Sequence, residues 1–442
     1  MNVRALCLLL AVLVSGLAKG DDTTDRADTR ATRVATGQTT AHVPATRPIK
    51  VSSTLNAAAT QATSSPLSSV AAAMNETVIR IPADPSGAIT LETTVFKPDG
   101  IGPFPLVVFN HGRDGGDPHI QKRSRPLSFA REFVRRGYEV AVPNRRGFAK
   151  SDGDYPDTGC DIAADGLLQA RDIAATVDFL RARPSIDASK ILVAGISHGG
   201  FASLAYDRAP APGVRGVVNF AGGLRKDDCA NGSVRLTEAF ADYGEAGTRG
   251  TQNAGQPEMP RALPTPGRPA PTLWFYGAND RVFDAALVTR LYQAYTAAGG
   301  KATLVRYGDY KNDAHELVGD RDAVPIWWPA TQRFLERVGL PFRVRYRVEE
   351  ASQLRPTPSP SGFAALDAVN VVPFLDDTGR VAYLSFLGQA KPRTFALSRS
   401  GQWAWAAGGD DPFAEAIDNC AQKSPTPCKP YAIDDYVVWQ RR

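Results

Sequence analysis

The chain has 442 residues, of which 43% are hydrophobic and 22% are charged. That apolar fraction is enough to bury a sizeable core, and the length predicts roughly two or three structural units. The 51 basic and 46 acidic residues leave a formal net charge of +5. These charges are spread along the chain without a run of lysine and arginine. The composition therefore lacks the pattern typical of nucleic-acid-binding proteins.

The N-terminus has the layout of a secretory signal peptide. Arg4 precedes an apolar run over residues 6–17, and the small residues Ala18 and Gly20 follow before the first acidic residues. The run is shorter than the roughly 20 apolar residues that cross a bilayer. We therefore predict a signal peptide at residues 1–20 and export to the periplasm or the medium, with no membrane span after its removal. The alternative is a buried N-terminal helix.

Residues 21–75 are rich in threonine, alanine and serine and contain almost no aromatic or long aliphatic side chains. A segment of this composition cannot bury enough apolar surface to offset the entropy of ordering it. We predict a disordered linker over residues 21–75.

The cysteines are compatible with an oxidising compartment. Cys7 lies inside the apolar run, and four others follow it: Cys160, Cys229, Cys420 and Cys428. An even number of cysteines in an exported protein predicts disulfides. Three pairings are possible, of which the simplest joins Cys160 to Cys229 and Cys420 to Cys428; four free thiols are the alternative. No zinc-binding spacing is visible.

Short apolar segments alternate with amphipathic ones from residue 77 onward. This alternation predicts an α/β fold with a mainly parallel sheet that helices cover on both faces, over residues 76–343. The predicted strands are 77–81, 89–96, 106–109, 138–142, 191–194, 214–220, 272–276 and 302–307. The predicted helices are 124–136, 162–183, 200–206, 285–298 and 325–338.

A proline- and serine-rich linker is predicted at 344–361, followed by a small α+β C-terminal domain at 362–442. Within this domain we predict strands at 369–374, 381–386, 395–398 and 431–439, and a helix at 412–421. About 80 residues can fold alone, more securely with a disulfide.

The strongest chemical signal is Gly195-Ile196-Ser197-His198-Gly199, which lies between a predicted strand and a predicted helix. A nucleophilic serine needs a tight, strained turn that projects its hydroxyl from the end of the sheet, and flanking glycines make room for that turn. The motif alone is weak in a chain with 39 glycines. In its strand–turn–helix context it predicts Ser197 as a nucleophile; the alternative is a glycine-rich turn with an idle serine.

A serine hydroxyl needs a histidine to accept its proton and a carboxylate to orient that histidine. Where such a turn carries the serine, the acid and then the histidine follow along the chain. Beyond the motif itself, the only later histidine is His315, in a loop after a predicted strand. Asp280 follows the strand before that and is the predicted acid. Asp309 and Asp313 are rivals for the acid role. The alternative role for Asp280 is the cap of the next helix, which Asp284 could provide instead.

An oxyanion needs two preorganised N–H donors. We predict the backbone N–H of His198 and that of Arg113, which lies in the glycine-rich loop after strand 106–109. His111 is expected to shape that loop. Arg145 and Arg146 belong to a loop for which we prefer a structural role, with contact to an acidic substrate as the alternative.

Over residues 76–340 the chain resembles the α/β-hydrolase superfamily, and within it the dienelactone hydrolase-like and related peptidase-like proteins. The resemblance rests on segments 110–112, 145–148, 195–200 and 277–280, with Ser151, Gly153 and His315. It implies the fold and a Ser-His-Asp triad. Dienelactone hydrolases are single cytosolic domains with a cysteine nucleophile, whereas this chain has Ser197 and an export signal, so the resemblance does not extend to the substrate.

The sequence therefore predicts a secreted serine hydrolase that cleaves a small-molecule carboxylic ester through an acyl-enzyme, without metal or organic cofactor. The ester is preferred by analogy within the fold. A serine peptidase or amidase is the first alternative. A non-catalytic cell-envelope binding protein on a hydrolase scaffold is the second, and the C-terminal domain is a candidate for binding a wall polymer or another partner.

Overall fold

Two β-sheets organise the part of the chain that the structure describes. This computed structural model describes residues 74–114, 116–245, 268–348, 358–408 and 411–440. The predicted signal peptide, nearly all of the predicted linker at 21–75 and half of the second linker, at 349–357, lie outside the described residues. Met74 already packs in the core with no exposed surface.

The larger sheet has eight strands in the order β1-β2-β4-β3-β5-β6-β7-β8. Strands β3 to β8 run parallel to one another, whereas β2 is antiparallel to both β1 and β4. The strands are β1 Thr77–Pro82, β2 Thr90–Phe96, β3 Phe104–Asn110, β4 Glu139–Pro143, β5 Ile186–Ile196, β6 Val214–Phe220, β7 Thr272–Gly277 and β8 Ala302–Tyr307. The mainly parallel sheet predicted from the sequence is confirmed.

Helices cover both faces of this sheet. They are α1 Leu127–Val134, α2 Ile162–Arg181, α3 His198–Tyr206, α4 Gly232–Gly244, α5 Ala285–Ala297 and α6 Val324–Arg337. Helices α2 to α5 contribute to one apolar core, and α1 and α6 contribute to the other. Strand β3 supplies both cores, because Leu106 and Val108 point to the first and Val107 and Phe109 to the second. A strand buried on both sides explains its continuous apolar sequence.

Most predicted elements lie within a few residues of the observed ones, with three informative differences. Strand β5 extends over Ile186–Ile196, well beyond the predicted 191–194. Helix α1 begins only at Leu127, after Pro126, because a proline disfavours helical backbone in the residue before it. Helix α4 was not among the predicted elements; its Leu236, Ala239, Phe240 and Tyr243 are buried at helical spacing.

The smaller sheet belongs to the C-terminal region and is antiparallel, in the order β10-β9-β11-β12. It comprises β9 Arg393–Ser398, β10 Trp403–Ala407, β11 Cys428–Ile433 and β12 Tyr436–Val437, with helices α7 Asp377–Leu387 and α8 Pro412–Ala421. The helix predicted at 412–421 is observed with the same bounds, and the strand predicted at 431–439 is instead a hairpin that turns at Asp434, where φ is 49°.

Two strand predictions in this region were wrong. Residues 369–371 form a short 3₁₀ helix, and residues 381–386 lie inside α7. Asp376 begins that helix by accepting a hydrogen bond from the Gly379 N–H at 2.7 Å, as an N-cap does. Val381 and Leu384 remain 64% and 55% exposed on its outer face. Apolar residues on the exposed side therefore hid the helical pattern and made the segment look like a buried strand.

The four cysteines form two disulfides, Cys160–Cys229 and Cys420–Cys428, which is the simplest of the three possible pairings. The first joins positions 69 residues apart and lies in the α/β part; the second joins positions 8 residues apart in the C-terminal region. A crosslink restricts the unfolded chain more when it closes a longer loop.

We predict that the two disulfides stabilise the protein unequally. Chain entropy assigns about 4 kcal/mol to closing the long loop and about 2.5 kcal/mol to closing the short one. Replacing both members of Cys160–Cys229 by serine should therefore lower the free energy of unfolding more than replacing both members of Cys420–Cys428, as measured by denaturant titration. Equal losses of unfolding free energy would contradict this expectation. As a control, a reductant should destabilise each variant only through the disulfide that it still contains.

Candidate active site

Ser197 lies on a strained turn between β5 and α3. Its φ of 52° and ψ of −125° are rarely adopted by a residue with a side chain and cost about 1–3 kcal/mol. The turn is held by a 2.9 Å hydrogen bond from the Ser197 N–H to the Phe220 carbonyl oxygen. The side chain is partly exposed. The motif therefore has the strand–turn–helix context that a nucleophile needs.

The glycines on either side of the serine are required by close packing. A Cβ on Gly195 would lie 2.4 Å from the Gly199 carbonyl oxygen, and a Cβ on Gly199 would lie 2.1 Å from the carbonyl oxygen of Asn110. Both distances are far below van der Waals contact. Only glycine lets α3 start directly against β5 and against the end of β3.

Asp280 and His315 form a buried pair. The Nδ1 atom of His315 lies 3.2 and 3.1 Å from the two carboxylate oxygens of Asp280, and each residue is only 8% exposed. Asp280 also accepts hydrogen bonds from the N–H groups of Val282 and Phe283, at 2.8 and 2.9 Å. A carboxylate accepts, so Nδ1 of His315 donates and its Nε2 is left with a lone pair for a proton.

The charge around His315 favours its protonated form. Burial lowers the pKa of its imidazole, but the hydrogen bond and charge of Asp280, together with the charges of Glu316 and Asp313, outweigh burial and raise the pKa above its ordinary value. This is the arrangement that stabilises an imidazolium when the base accepts a proton.

The rivals of Asp280 have other partners. Asp284 is the N-cap of α5 and accepts from the Leu287 N–H at 2.8 Å. Asp313 accepts from the N–H groups of His315 and Arg281, and so orders the backbone of the histidine loop. Asp309 is exposed. Among these aspartates, the structure pairs the imidazole of His315 with Asp280.

These residues converge at one edge of the sheet. Ser197 follows β5, Asp280 follows β7 and His315 follows β8, and the carboxyl ends of parallel strands meet at the same edge. The loop after β3 also reaches this edge, since a Cβ on Gly112 would lie 3.5 Å from the Cβ of Ser197. Arg113 is the next residue of that loop, and His198 is the first residue of α3.

A family model matches the α/β part of the chain. Residues 86–263, less than half of the chain, match the family model of X-Pro dipeptidyl-peptidases (S15 family). No curated protein shows significant similarity to the chain.

Three solved structures illustrate the structural neighbours. A putative dienelactone hydrolase from Klebsiella pneumoniae is 19% identical, with 60% of this chain and 98% of that chain covered and a TM-score of 0.38. Esterase 2 of Thermogutta terrifontis is 16% identical, with 61% and 97% covered and a TM-score of 0.39. An acylaminoacyl peptidase of Pyrococcus horikoshii is 15% identical, with 62% and 43% covered and a TM-score of 0.41.

The deciding observation is the sheet order, with a serine turn after β5 and a paired acid and histidine after β7 and β8. The protein has an α/β-hydrolase fold.

Arg145 and Arg146, which the sequence offered as alternative substrate contacts, instead bind other residues of the protein. Arg145 is fully buried and donates to the His111 carbonyl oxygen at 2.9 Å and to Gln169 at 2.7 Å. Arg146 forms an ion pair with Asp172 at 2.6 Å. The structural role that we preferred for this loop agrees with these contacts.

His111 shapes the loop after β3, as expected. Its Nδ1 lies 2.6 Å from the Gly112 carbonyl oxygen and must donate, while its Nε2 accepts from the Arg145 N–H at 3.2 Å. Burial and the neighbouring Arg145 charge lower the pKa of His111 well below its ordinary value. The ring therefore stays neutral and holds the loop in place.

Sequence reasoning missed a buried polar cluster behind the serine turn. Asp165 in the first turn of α2 is fully buried and contacts His198, Tyr155 and Lys226. The available signal was an acidic residue on the apolar stripe of α2, three positions after Ile162, where a charge is costly unless it has a partner.

The C-terminal region touches the loops of this α/β-hydrolase that frame the site. The side-chain amide of Asn312 donates to the Gly388 carbonyl oxygen at 2.9 Å, and Lys122 hydrogen-bonds Asn419. Asn312 lies three residues before His315, and Lys122 lies in the segment after β3. The C-terminal region therefore contacts two of the segments that border the carboxyl edge of the sheet.

Neither a metal cluster nor a membrane-spanning helix is evident in the described ranges. No group of three or more histidine, cysteine or acidic side chains there has the arrangement of a metal site. Within the same ranges, no helix combines the length and apolar character needed to cross a bilayer.

We predict that the histidines of this α/β-hydrolase titrate in an order set by their surroundings. The pKa of His315 should lie above 6.5, because Asp280 stabilises its charge, whereas those of His111 and His198 should lie below 6.5, because burial disfavours theirs. A pH titration of the ring resonances by NMR measures all three. Replacing Asp280 with asparagine should lower the His315 pKa, and a His315 pKa below 6.5 in the unaltered protein would contradict the assignment.

Proposed function

We propose that the protein is a serine hydrolase that transfers an acyl group to water, with a carboxylic ester as its substrate class. The observation that carries the proposal is the serine turn at the same sheet edge as a histidine oriented by a buried aspartate. The match to a peptidase family model and the α/β-hydrolase fold support a hydrolase.

In the proposed reaction, the Ser197 hydroxyl oxygen attacks the ester carbonyl carbon while Nε2 of His315 accepts the hydroxyl proton. Asp280 holds the ring with Nδ1–H directed at its carboxylate and stabilises the imidazolium that forms. The resulting oxyanion accepts hydrogen bonds from the backbone N–H groups of Arg113 and His198. His198 is the first residue of α3, and the first N–H groups of a helix have no partner within it, which suits this N–H to the role.

Collapse of the tetrahedral intermediate breaks the bond to the leaving alcohol, which takes its proton from His315. Water then attacks the acyl-enzyme while His315 accepts a proton from it. His315 passes this proton to the Ser197 oxygen as the bond to the acyl group breaks, which releases the acid and restores Ser197 and His315. Every step uses side-chain and backbone groups of this chain and water.

A serine peptidase is the second candidate, favoured by the family match over residues 86–263. The same triad serves both, but an amide leaves as an amine and depends more strongly on protonation by His315 than an ester does. A non-catalytic binding protein is the third reading; it predicts that a member of the triad is absent, whereas all three residue types are present at the sheet edge.

Export is also part of the proposal. The apolar run at 6–17 with small residues at its end, and the two disulfides, support secretion to an oxidising compartment. When the full chain is expressed with export machinery, we expect mass spectrometry to find the mature N-terminus near residue 21. Recovery of intact Met1 on exported protein would contradict the signal peptide.

We predict that a fluorophosphonate probe labels Ser197. The triad activates this hydroxyl, so peptide mapping should find the probe at Ser197 and no label on Ser197→Ala, whose kcat/KM for p-nitrophenyl acetate should fall by about a millionfold. Asp280→Asn should lose about ten-thousandfold, because the histidine loses its orientation. Asp309→Asn is the matched control and should behave as the unaltered protein.

The same preparation distinguishes the candidate substrates. We compare kcat/KM for an ester and an anilide that carry the same acyl group, and for a Gly-Pro anilide. The ester should have the highest value. If the Gly-Pro anilide had the highest kcat/KM instead, the protein would be a peptidase and not an esterase. Absence of labelling in folded, disulfide-bonded protein would overturn both and favour the binding protein.

A further inference from the structure

A buried carboxylate outside the triad connects the two sides of the proposed oxyanion hole. Asp165 has no exposed surface. One of its oxygens lies 2.7 Å from Nε2 of His198, and the other accepts a 2.6 Å hydrogen bond from the Tyr155 hydroxyl. The ammonium of Lys226 lies 3.6 Å from that second oxygen.

The contacts of His198 define its tautomer. Nδ1 faces the Arg145 guanidinium at 3.4 Å, and because arginine only donates, Nδ1 must carry the lone pair. Nε2 therefore bears the hydrogen and donates it to Asp165. Burial, which is the largest influence, and the nearby arginine charges lower the pKa of His198 despite Asp165. The ring is neutral and fixed at both ends, which makes it a poor proton acceptor for Ser197.

Tyr155 extends the connection to the second predicted donor. The guanidinium of Arg113 lies over the Tyr155 ring, with its Cζ 4.4 Å from the ring centre. A cation above an aromatic face is attracted by the ring quadrupole. The backbone of Tyr155 packs directly against Gly147, whose φ is +75°. A Cβ at position 147 would lie 2.1 Å from the Tyr155 nitrogen, so only glycine leaves room for Tyr155 there.

The charge of Asp165 is maintained by its partners. Burial raises the pKa of this carboxyl. The hydrogen bonds from His198 and from Tyr155 and the charge of Lys226 outweigh burial, so the pKa is lowered overall. Lys226 is itself held by the Thr158 hydroxyl at 3.1 Å and by the Gly159 carbonyl oxygen. Gly159 adjoins Cys160, whose disulfide to Cys229 fastens the two segments together.

We propose that Asp165 is a positioning residue that aligns both N–H donors of the oxyanion hole, His198 directly and Arg113 through Tyr155. The inference rests on the proposed function. His198 belongs to α3 and Arg113 to the loop after β3, and the register that pairs β3 with β5 ends at Asn110 and Gly195, so a further link is needed to fix Arg113 against His198. Asp165 supplies that link. Its buried carboxylate binds the side chain of His198 and the hydroxyl of Tyr155, and the Arg113 guanidinium lies over the Tyr155 ring.

The energetic reason is that an oxyanion hole works only when its donors are already aimed. Removing one donor costs about a hundredfold to a thousandfold in rate, and a shift of about 1 Å in a positioned group can cost a hundredfold. Asparagine at position 165 has one acceptor oxygen and no charge, so it cannot hold His198, Tyr155 and Lys226 together.

The test compares Asp165→Asn with Asp172→Asn. Asp172 is equally buried on the same helix, but it binds Arg146. Both variants should lose stability, whereas only Asp165→Asn should lose about tenfold to a hundredfold in kcat/KM for p-nitrophenyl acetate, measured where circular dichroism shows both to be folded. Its affinity for phenylboronic acid, a mimic of the tetrahedral adduct, should fall by a similar factor. The pH midpoint of the acid limb, set by His315 and Asp280, should not move.

A second variant covers the case in which Asp165→Asn does not fold. Tyr155→Phe keeps the ring under Arg113 and removes only the hydroxyl, so a loss of about fivefold is expected. Full activity in Asp165→Asn or in Tyr155→Phe, or a loss in Asp165→Asn no larger than in Asp172→Asn, would overturn the inference while the esterase stands. An unaltered protein that the fluorophosphonate does not label would instead overturn the proposed function.

Discussion

The turn at Ser197 is the constraint on which the rest of the site depends. Strand β5 ends and helix α3 begins with a single residue between them, so the chain reverses at a point where a Cβ at position 195 or 199 would collide with neighbouring backbone. The strain of φ 52° is offset by the packing of β5 between β3 and β6 and of α3 against all three. A partly exposed hydroxyl at the end of a buried strand is the result. The acid and histidine then need only follow two neighbouring strands to reach the same edge.

Buried charge around this turn is organised into pairs and not left to solvent. Asp280 is saturated by His315 and two backbone N–H groups, Asp165 by His198, Tyr155 and Lys226, and Asp172 by Arg146. An unpaired buried carboxylate would be protonated or would destabilise the fold by several kcal/mol. Two of the histidines, His315 and His198, illustrate the outcome. His315 is paired so that its charged form is favoured, whereas His198 is enclosed so that it stays neutral. The same residue type is thus suited to proton transfer in one place and to positioning in the other.

The disulfides and the C-terminal region act on segments rather than on the reacting atoms. Cys160–Cys229 joins the segment before α2 to the one before α4, next to the lysine that neutralises Asp165. The C-terminal region contacts the histidine loop through Asn312 and the segment after β3 through Lys122. Both features restrain loops at the carboxyl edge of the sheet, where the catalytic strands end.

The sequence by itself determined the α/β architecture, the serine turn and the identity of the candidate base. The reason is that these depend on local patterns: continuous apolar strands, glycines around Ser197, and one remaining histidine beyond the motif. Local patterns misassigned 369–374, part of which is a short 3₁₀ helix, and also 381–386, where exposed apolar residues of α7 imitated a strand. Only the tertiary structure decided which aspartate binds His315, that Arg145 and Arg146 are internal, and that Asp165 stands between His198 and Tyr155. Those facts depend on contacts between residues up to 35 positions apart, which no spacing along the chain encodes, because each is set by how α2, α3 and the loops pack on the finished sheet.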